Sequence, residues 1–225
     1  MKHVITILFI LTLPYFSYSK FISPDKKSST QKNTTWIINK LPVLNQDRIQ
    51  VLGTPDTVSC KYGKAIHFNG IDEGIFLDEM PLKDLTQFTI EVIFQPESGG
   101  NFEQRFFHCG EISGDRILLE IRTTENDWYF DAYIKTKDQQ LALISPDFLH
   151  PLDEWYHVAY VVDNGKLLTY IDGKKELEGE IKMTPIQNGK CSFGVRQNLQ
   201  SWFKGSIYSV KISPKAIEPK DFEMN

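Results

Sequence analysis

The sequence predicts an all-β fold, a two-sheet antiparallel β-sandwich of the jelly-roll kind, and three observations carry that prediction. In the stretch from Glu154 to Lys174, two runs rich in β-branched and aromatic residues flank Asp163-Asn164-Gly165, and the second run ends in Asp172-Gly173. Asn-Gly and Asp-Gly readily supply the positive-φ residues that tight hairpin turns demand, so a three-strand meander is written there. Short segments of alternating polarity, separated by Gly, Pro, Asn and Asp, recur along the rest of the chain. No segment carries the 3.6-residue apolar period of an amphipathic helix beyond a turn or two.

The chain of 225 residues opens with Met1-Lys2-His3, an apolar run from Val4 to Leu13, and small residues at Ser17-Tyr18-Ser19. That order reads as a signal peptide spanning residues 1–19, and it places the protein outside the cytoplasm, secreted or periplasmic. Residues 20–35 are polar and read as a disordered lead-in. The remainder, residues 36–225, has the size of one all-β domain.

Strands follow in quick succession. Trp36-Ile37-Ile38 opens the folded part, Ile49–Leu52 alternates weakly, and Lys64–Phe68 runs into Asn69-Gly70 ahead of Gly74–Leu77. Gln87–Phe94 alternates cleanly, with Phe88, Ile90, Val92 and Phe94 on one face and Thr89 and Glu91 on the other. Arg105–Cys109 and Arg116–Arg122 come next. In Trp128–Lys135 one face is Trp128, Phe130, Ala132 and Ile134, and the other Tyr129, Asp131, Tyr133 and Lys135. Leu141–Ile144 precedes a crossing loop into the meander, in which Trp155 and Tyr170 are expected to pack the sandwich. Cys191–Val195 and Trp202–Ile212 supply the last two strands, and the tail beyond Pro214 is at most a helical turn.

Composition narrows the partners. Fifteen Phe, nine Tyr and four Trp suit an aromatic-rich sheet protein, and a net charge of −4 argues against nucleic acid. No later run approaches the ~20 apolar residues of a membrane helix, so membrane insertion is not expected. Cys60, Cys109 and Cys191 lack the paired short spacings of a zinc site. Each sits in a strand-like run, which favours buried free thiols over one disulfide with a thiol left over.

Four motifs in order carry a family resemblance. Tyr62-Gly63-Lys64-Ala65-Ile66-His67-Phe68-Asn69-Gly70, then Phe88-Thr89-Ile90-Glu91, then Trp155-Tyr156-His157-Val158-Ala159 with Tyr170-Ile171-Asp172-Gly173, then Phe203-Lys204-Gly205-Ser206-Ile207 resemble laminin-G-like domains of the concanavalin A-like lectin/glucanase superfamily. The resemblance spans Val58 to Phe222 and implies a jelly roll of two curved sheets; the fold hosts lectins, adhesion modules, glycosidases and lyases, so it implies no single activity. Many such domains are similar in placing an Asp after the final Phe-x-Gly to help hold calcium, whereas Tyr208 stands there in this chain. Asn69, Asp72 and Glu73 remain as oxygen donors for an optional calcium; no cofactor is required.

Candidate binding residues fall in three groups. Glu120, Arg122, Tyr129, Asp131 and Tyr133, with Lys135, combine flat rings and bidentate charged groups, which suit the apolar faces and fixed hydroxyls of a sugar; an ordinary solvated sheet face is the alternative. Arg105 and His108 lie in a strand dense in hydrogen-bonding groups, where period two separates Gln104, Phe106 and His108 from Glu103, Arg105 and Phe107. Arg196, Asn198 and Trp202 form a loop between two strands, suited to a sugar-contacting rim. The expected ligand is a poly- or oligosaccharide, with a protein partner as the adhesion-module alternative. For catalysis, glycosidases want two carboxylates ~5–10 Å apart. Glu176, Glu178 and Glu180 alternate but read as a solvated edge. His108, Arg122, Tyr133 and Arg196 supply the residue types of a lyase without showing that they converge, so no catalytic residue is assigned.

Overall fold

The computed structural model describes residues 32–41, 46–137 and 139–224; the predicted signal peptide and most of the predicted lead-in lie outside them. Among the described residues there are sixteen strands: β1 (Thr34–Ile37), β2 (Ile49–Leu52), β3 (Asp56–Cys60), β4 (Gly63–Asn69), β5 (Gly74–Leu77), β6 (Phe88–Pro96), β7 (Glu103–Gly110), β8 (Arg116–Thr123), β9 (Asp127–Thr136), β10 (Gln139–Ile144), β11 (His150–Pro151), β12 (Tyr156–Asp163), β13 (Lys166–Ile171), β14 (Lys174–Glu180), β15 (Lys190–Phe193) and β16 (Lys204–Ser213). Thr34 and Thr35, assigned from sequence to the lead-in, are strand residues because they pair with Ile212 and Lys211 of β16. No described helix is long and apolar enough to cross a membrane.

The strands form two antiparallel sheets of eight. One runs β14-β13-β12-β6-β16-β4-β3, with β1 also on β16; the other runs β10-β9-β8-β7-β15-β5-β2, with β11 also on β9. The predicted meander is β12-β13-β14. Its turns have positive φ at Asn164 (43°), Gly165 (80°), Asp172 (47°) and Gly173 (75°), the conformation that two-residue hairpin loops require.

The inward faces bury a continuous core. Phe88, Ile90, Val92 and Phe94 of β6 are fully inaccessible, as are Trp128, Ala132 and Ile134 of β9. Phe94 stacks on Phe106 at 4.4 Å between ring centroids and meets the Trp128 ring edge-on at 5.2 Å. Trp155 and Tyr170 depart from expectation. Alternation along β12 sends Tyr156 and Tyr160 into the core, so Trp155 is half-buried against Tyr62 and Tyr170 packs beneath Phe222 on the outer side.

That outer side is roofed by the C-terminal tail, which covers Ala159, Val161 and Tyr170. Thr89 and Glu91 are consequently buried as well. The Glu91 carboxylate accepts from the Glu223 backbone N–H at 2.7 Å, lies 3.1 Å from His157 Nε2, and pairs with Lys211 at 3.3 Å. Burial raises its pKa, but these partners outweigh burial and hold Glu91 below the usual carboxylate value.

All three cysteines are free thiols. Cys109 and Cys191 are buried and are direct cross-strand partners of β7 and β15, with their Sγ atoms 2.9 Å apart.

Candidate binding cleft

The outer face of the second sheet is where charge collects. Alternation along β8 puts Arg116, Leu118, Glu120 and Arg122 on that face, and alternation along β9 adds Tyr129, Asp131, Tyr133 and Lys135. Pairing places Glu120 opposite Asp131 and Arg122 opposite Tyr129. Arg105 arrives from β7, opposite Glu120. The loop between β15 and β16 brings Arg196 over the same face. Together Arg105, Arg116, Glu120, Arg122, Asp131, Tyr133 and Arg196, with Leu118, Gln140 and Ala142, line an open cleft of about 380 Å³.

A dense ion-pair network forms its floor. Arg105 Nε donates to Glu120 Oε1 at 2.9 Å, and Arg122 Nη1 donates to Glu120 Oε2 at 3.2 Å. The Nη2 atom of Arg122 lies 2.5 Å from Asp131 Oδ2 and 3.3 Å from Glu103 Oε2. Arg105 Nη1 also donates to Glu103 and Ser201, and the Ser201 hydroxyl donates to Glu103 Oε1 at 3.1 Å. Burial pushes Glu120 up to about 7 against the pull of Arg105 and Arg122, and raises Asp131 for the same reason. Both Glu120 oxygens and one of Asp131 are already engaged by arginine. The floor is therefore built to hold guanidinium forks in fixed orientations rather than to offer a free acid and base.

Several predicted residues sit elsewhere. His108 is fully buried: its Nδ1 accepts from the Gln197 N–H at 3.2 Å, and its Nε2 lies 3.2 Å from the Glu111 carbonyl. Burial drops its pKa to about 3, so it is a neutral structural tie sealed beneath the loop. A register shift between Arg105 and Phe107 explains its facing: the extra residue sends both Phe106 and Phe107 inward and His108 to the side of Arg105, against strict period two. Asn198 bonds within its own loop, donating to Gln200 Oε1 at 3.0 Å. Trp202 is half-buried just before β16, and neither it nor Tyr129 lines the cleft. Glu176 is not a solvated edge residue either; its side chain is 6% exposed and meets His150 Nε2 at 2.6 Å.

Arg116, Gln140 and Ser201 were not singled out from sequence, although the parity of Arg116 with Glu120 and Arg122 is visible there. Phe102 was missed too. It is 61% exposed, and the Arg122 guanidinium lies 6.0 Å from its ring centroid.

Asn69, Asp72 and Glu73 are brought together between β4 and β5, but as a hydrogen-bonded turn. Asn69 Oδ1 accepts from the N–H groups of Ile71 and Asp72 at 2.8 and 3.2 Å, and Asn69 Nδ2 donates to Asp72 Oδ1 at 2.8 Å. Glu73 Oε2 accepts from the Asn69 N–H at 2.8 Å. In this turn Asn69 Oδ1 and one oxygen of each carboxylate are taken up by internal hydrogen bonds, and among the described residues no group of three or more His, Cys, Asp or Glu side chains is arranged to hold a metal ion.

Residues 69–221 match a laminin-G-like family model described as the concanavalin A-like lectin/glucanases superfamily. The chain belongs to that superfamily. Among solved structures, this concanavalin A-like domain is similar to domain 4 of AbnA, a GH43 extracellular arabinanase from Geobacillus stearothermophilus solved in complex with arabinotriose. The two are 24% identical with a TM-score of 0.58, over 75% of this chain and 79% of the other. The native heptameric SAP-like pentraxin from Limulus polyphemus is 17% identical with a TM-score of 0.57, covering 69% of this chain and 77% of that one. The receptor-binding domain of botulinum neurotoxin type G is 13% identical with a TM-score of 0.55, over 77% of this chain but 44% of its own. At these identities the likeness is one of fold. No curated protein sequence matches the chain.

Proposed function

We propose that this protein is an exported carbohydrate-binding module that takes a glycan in the cleft on the outer face of β7, β8 and β9, without cleaving it and without calcium. The observation that carries the reading is the cleft itself, where oriented guanidiniums, the Tyr133 hydroxyl and Gln140 meet in an open groove. Tyr133 donates to Gln140 Oε1 at 3.0 Å and receives a 3.3 Å bond from Arg116, so directional polar groups for sugar hydroxyls are held in place beforehand. The arabinotriose complex of the AbnA domain shows that one protein of similar fold meets a sugar. The apolar run after Met1-Lys2-His3 supports export.

Affinity electrophoresis of the intact chain through gels containing arabinan, polygalacturonate, dextran or dextran sulfate tests the proposal. Retardation by at least one polymer, unchanged by EDTA and reduced about tenfold in Tyr133→Ala, is the expected result. New reducing ends or unsaturated-uronate absorbance would make the protein a glycan-cleaving enzyme instead. Retention of none of the polymers would remove the carbohydrate reading.

A further inference from the structure

We infer that the ligand of this cleft is an acidic glycan, whose sugar carboxylate or sulfate is taken by Arg116, Lys135 and Arg196. The inference rests on the carbohydrate reading above and adds the ligand's charge to it. Of the four cleft arginines, Arg105 and Arg122 are neutralised by Glu103, Glu120 and Asp131. Arg116 and Arg196 are not. Arg116 Nη1 donates to the Ser113 and Gly114 carbonyls at 3.1 and 2.7 Å, and Arg196 Nη2 donates to the Ile112 carbonyl at 3.2 Å. Lys135 Nζ donates to the same Ser113 carbonyl at 3.1 Å. Three cations thus converge on one turn, Ile112–Gly114, and are held there by neutral carbonyls.

No carboxylate among the described residues forms an ion pair with any of the three. Glu111 and Asp115 flank the turn, but Asp115 Oδ1 instead accepts the Lys137 N–H at 2.6 Å. The Nε atoms of both arginines have no hydrogen-bond partner. All three side chains are partly exposed, so a ligand can reach them. Like-charge crowding of this kind, in a chain whose net charge is −4, is costly until an anion enters. A guanidinium fork matches the paired oxygens of a carboxylate or sulfate. The Arg116 guanidinium also lies 5.0 Å from the Tyr133 ring centroid, which fixes its plane at the mouth of the cleft.

The test measures affinity for polygalacturonate, dextran sulfate, and neutral arabinan and dextran, at about 0.15 M salt to screen long-range attraction. Variants are R116Q, R196Q and their double, with K174Q at the far edge strand as a change in net charge equal to that of either single variant. Acidic polymers should bind, the double variant should weaken them at least about tenfold, and K174Q should change affinity less than about twofold. Melting temperatures confirm that each variant folds. Retention of polygalacturonate alone assigns the anion as carboxylate, and of dextran sulfate alone as sulfate. Equal retention of neutral and acidic polymers, or affinity indifferent to the double variant, overturns the charge inference while leaving carbohydrate binding intact. No retention of any polymer overturns both.

We also infer, from the strand pairing and independently of the ligand, that Cys109 and Cys191 become a disulfide in the exported protein. The two are direct cross-strand partners with adjacent sulfurs, and the Cα separation of such antiparallel pairs is within the range a disulfide spans. The oxidant is a small-molecule or protein disulfide of the oxidising compartment. One cysteine thiolate attacks a carrier sulfur and releases a carrier thiolate. The second cysteine thiolate then attacks the mixed disulfide and releases the other, so two electrons and two protons pass to the carrier. Burial raises the Cys191 pKa well above its ordinary value, so exchange belongs to the folding chain, before β15 docks. Denaturing the exported protein without reductant and alkylating it should label Cys60 alone, with all three labelled after reduction. Three labelled thiols before reduction would overturn the disulfide.

Discussion

Arg122→Ala is expected to destabilise the protein by roughly 3–5 kcal/mol at pH 8. The Arg122 guanidinium bridges Glu103, Glu120 and Asp131, and the side chains of Glu120 and Asp131 are 3% and 6% exposed. Without it two buried carboxylates on neighbouring strands face each other with one arginine fewer between them. The sign of the pH dependence follows from Glu120, which burial raises from 4.5 to about 7. A carboxyl whose folded pKa lies above its unfolded one stabilises the fold while it is protonated. Its contribution is full below about 4.5 and is lost as pH rises through about 7. Removing Arg122 lifts the folded value further, so the penalty should be smaller at pH 5 than at pH 8. Urea denaturation at both values measures it; equal losses would show that Arg122 acts through packing rather than charge.

The second large effect is expected far from the cleft. Phe222→Ala should cost about 3 kcal/mol, because the ring packs on His157 and Tyr170 at 5.5 and 5.3 Å and fixes the tail that closes over Glu91. Loosening the tail also weakens the Glu223 N–H bond to Glu91. Glu91 is lowered in the fold, so its contribution is present above its unfolded value of 4.5 and lost as pH falls below it. The variant should therefore lose part of the wild-type stability gain between pH 4 and pH 7. Thermal melting across that range checks both statements, and an unchanged profile would mean that the tail does not shelter Glu91.

Where alternation is strict, sequence and structure agree. The two faces of β9 and the Arg116, Glu120, Arg122 side of β8 follow from period two alone, and the hairpin at Asn164-Gly165 from the turn chemistry of those two residues. The departures have identifiable causes. Nothing in Arg105-Phe106-Phe107-His108 marks the register shift, and the cover over His108 comes from Gln197, distant in sequence. The burial of Glu91 and Glu176 depends on Glu223 and His150, partners that only the folded topology supplies. The cleft was legible as a set of residue types on shared faces. Its division into neutralised and unneutralised arginines was not, because the carbonyls of Ile112–Gly114 that hold Arg116 and Arg196 belong to a loop with no charge pattern of its own.

The position of β16 bears on biosynthesis. β16 follows in sequence every strand it pairs with, and it is a central one: it lies against β6 on one side and against β4 and β1 on the other, pairing Val210 with both Val92 and Trp36. While the polypeptide emerges from the ribosome, the β12-β13-β14 meander can form locally, but the sheet has no centre until Ser213 is free. Non-local pairing of this kind is slow and leaves strand edges unpaired meanwhile. On the export route proposed above, a central strand that follows all its partners in sequence would delay closure of the sheet until those partners have passed.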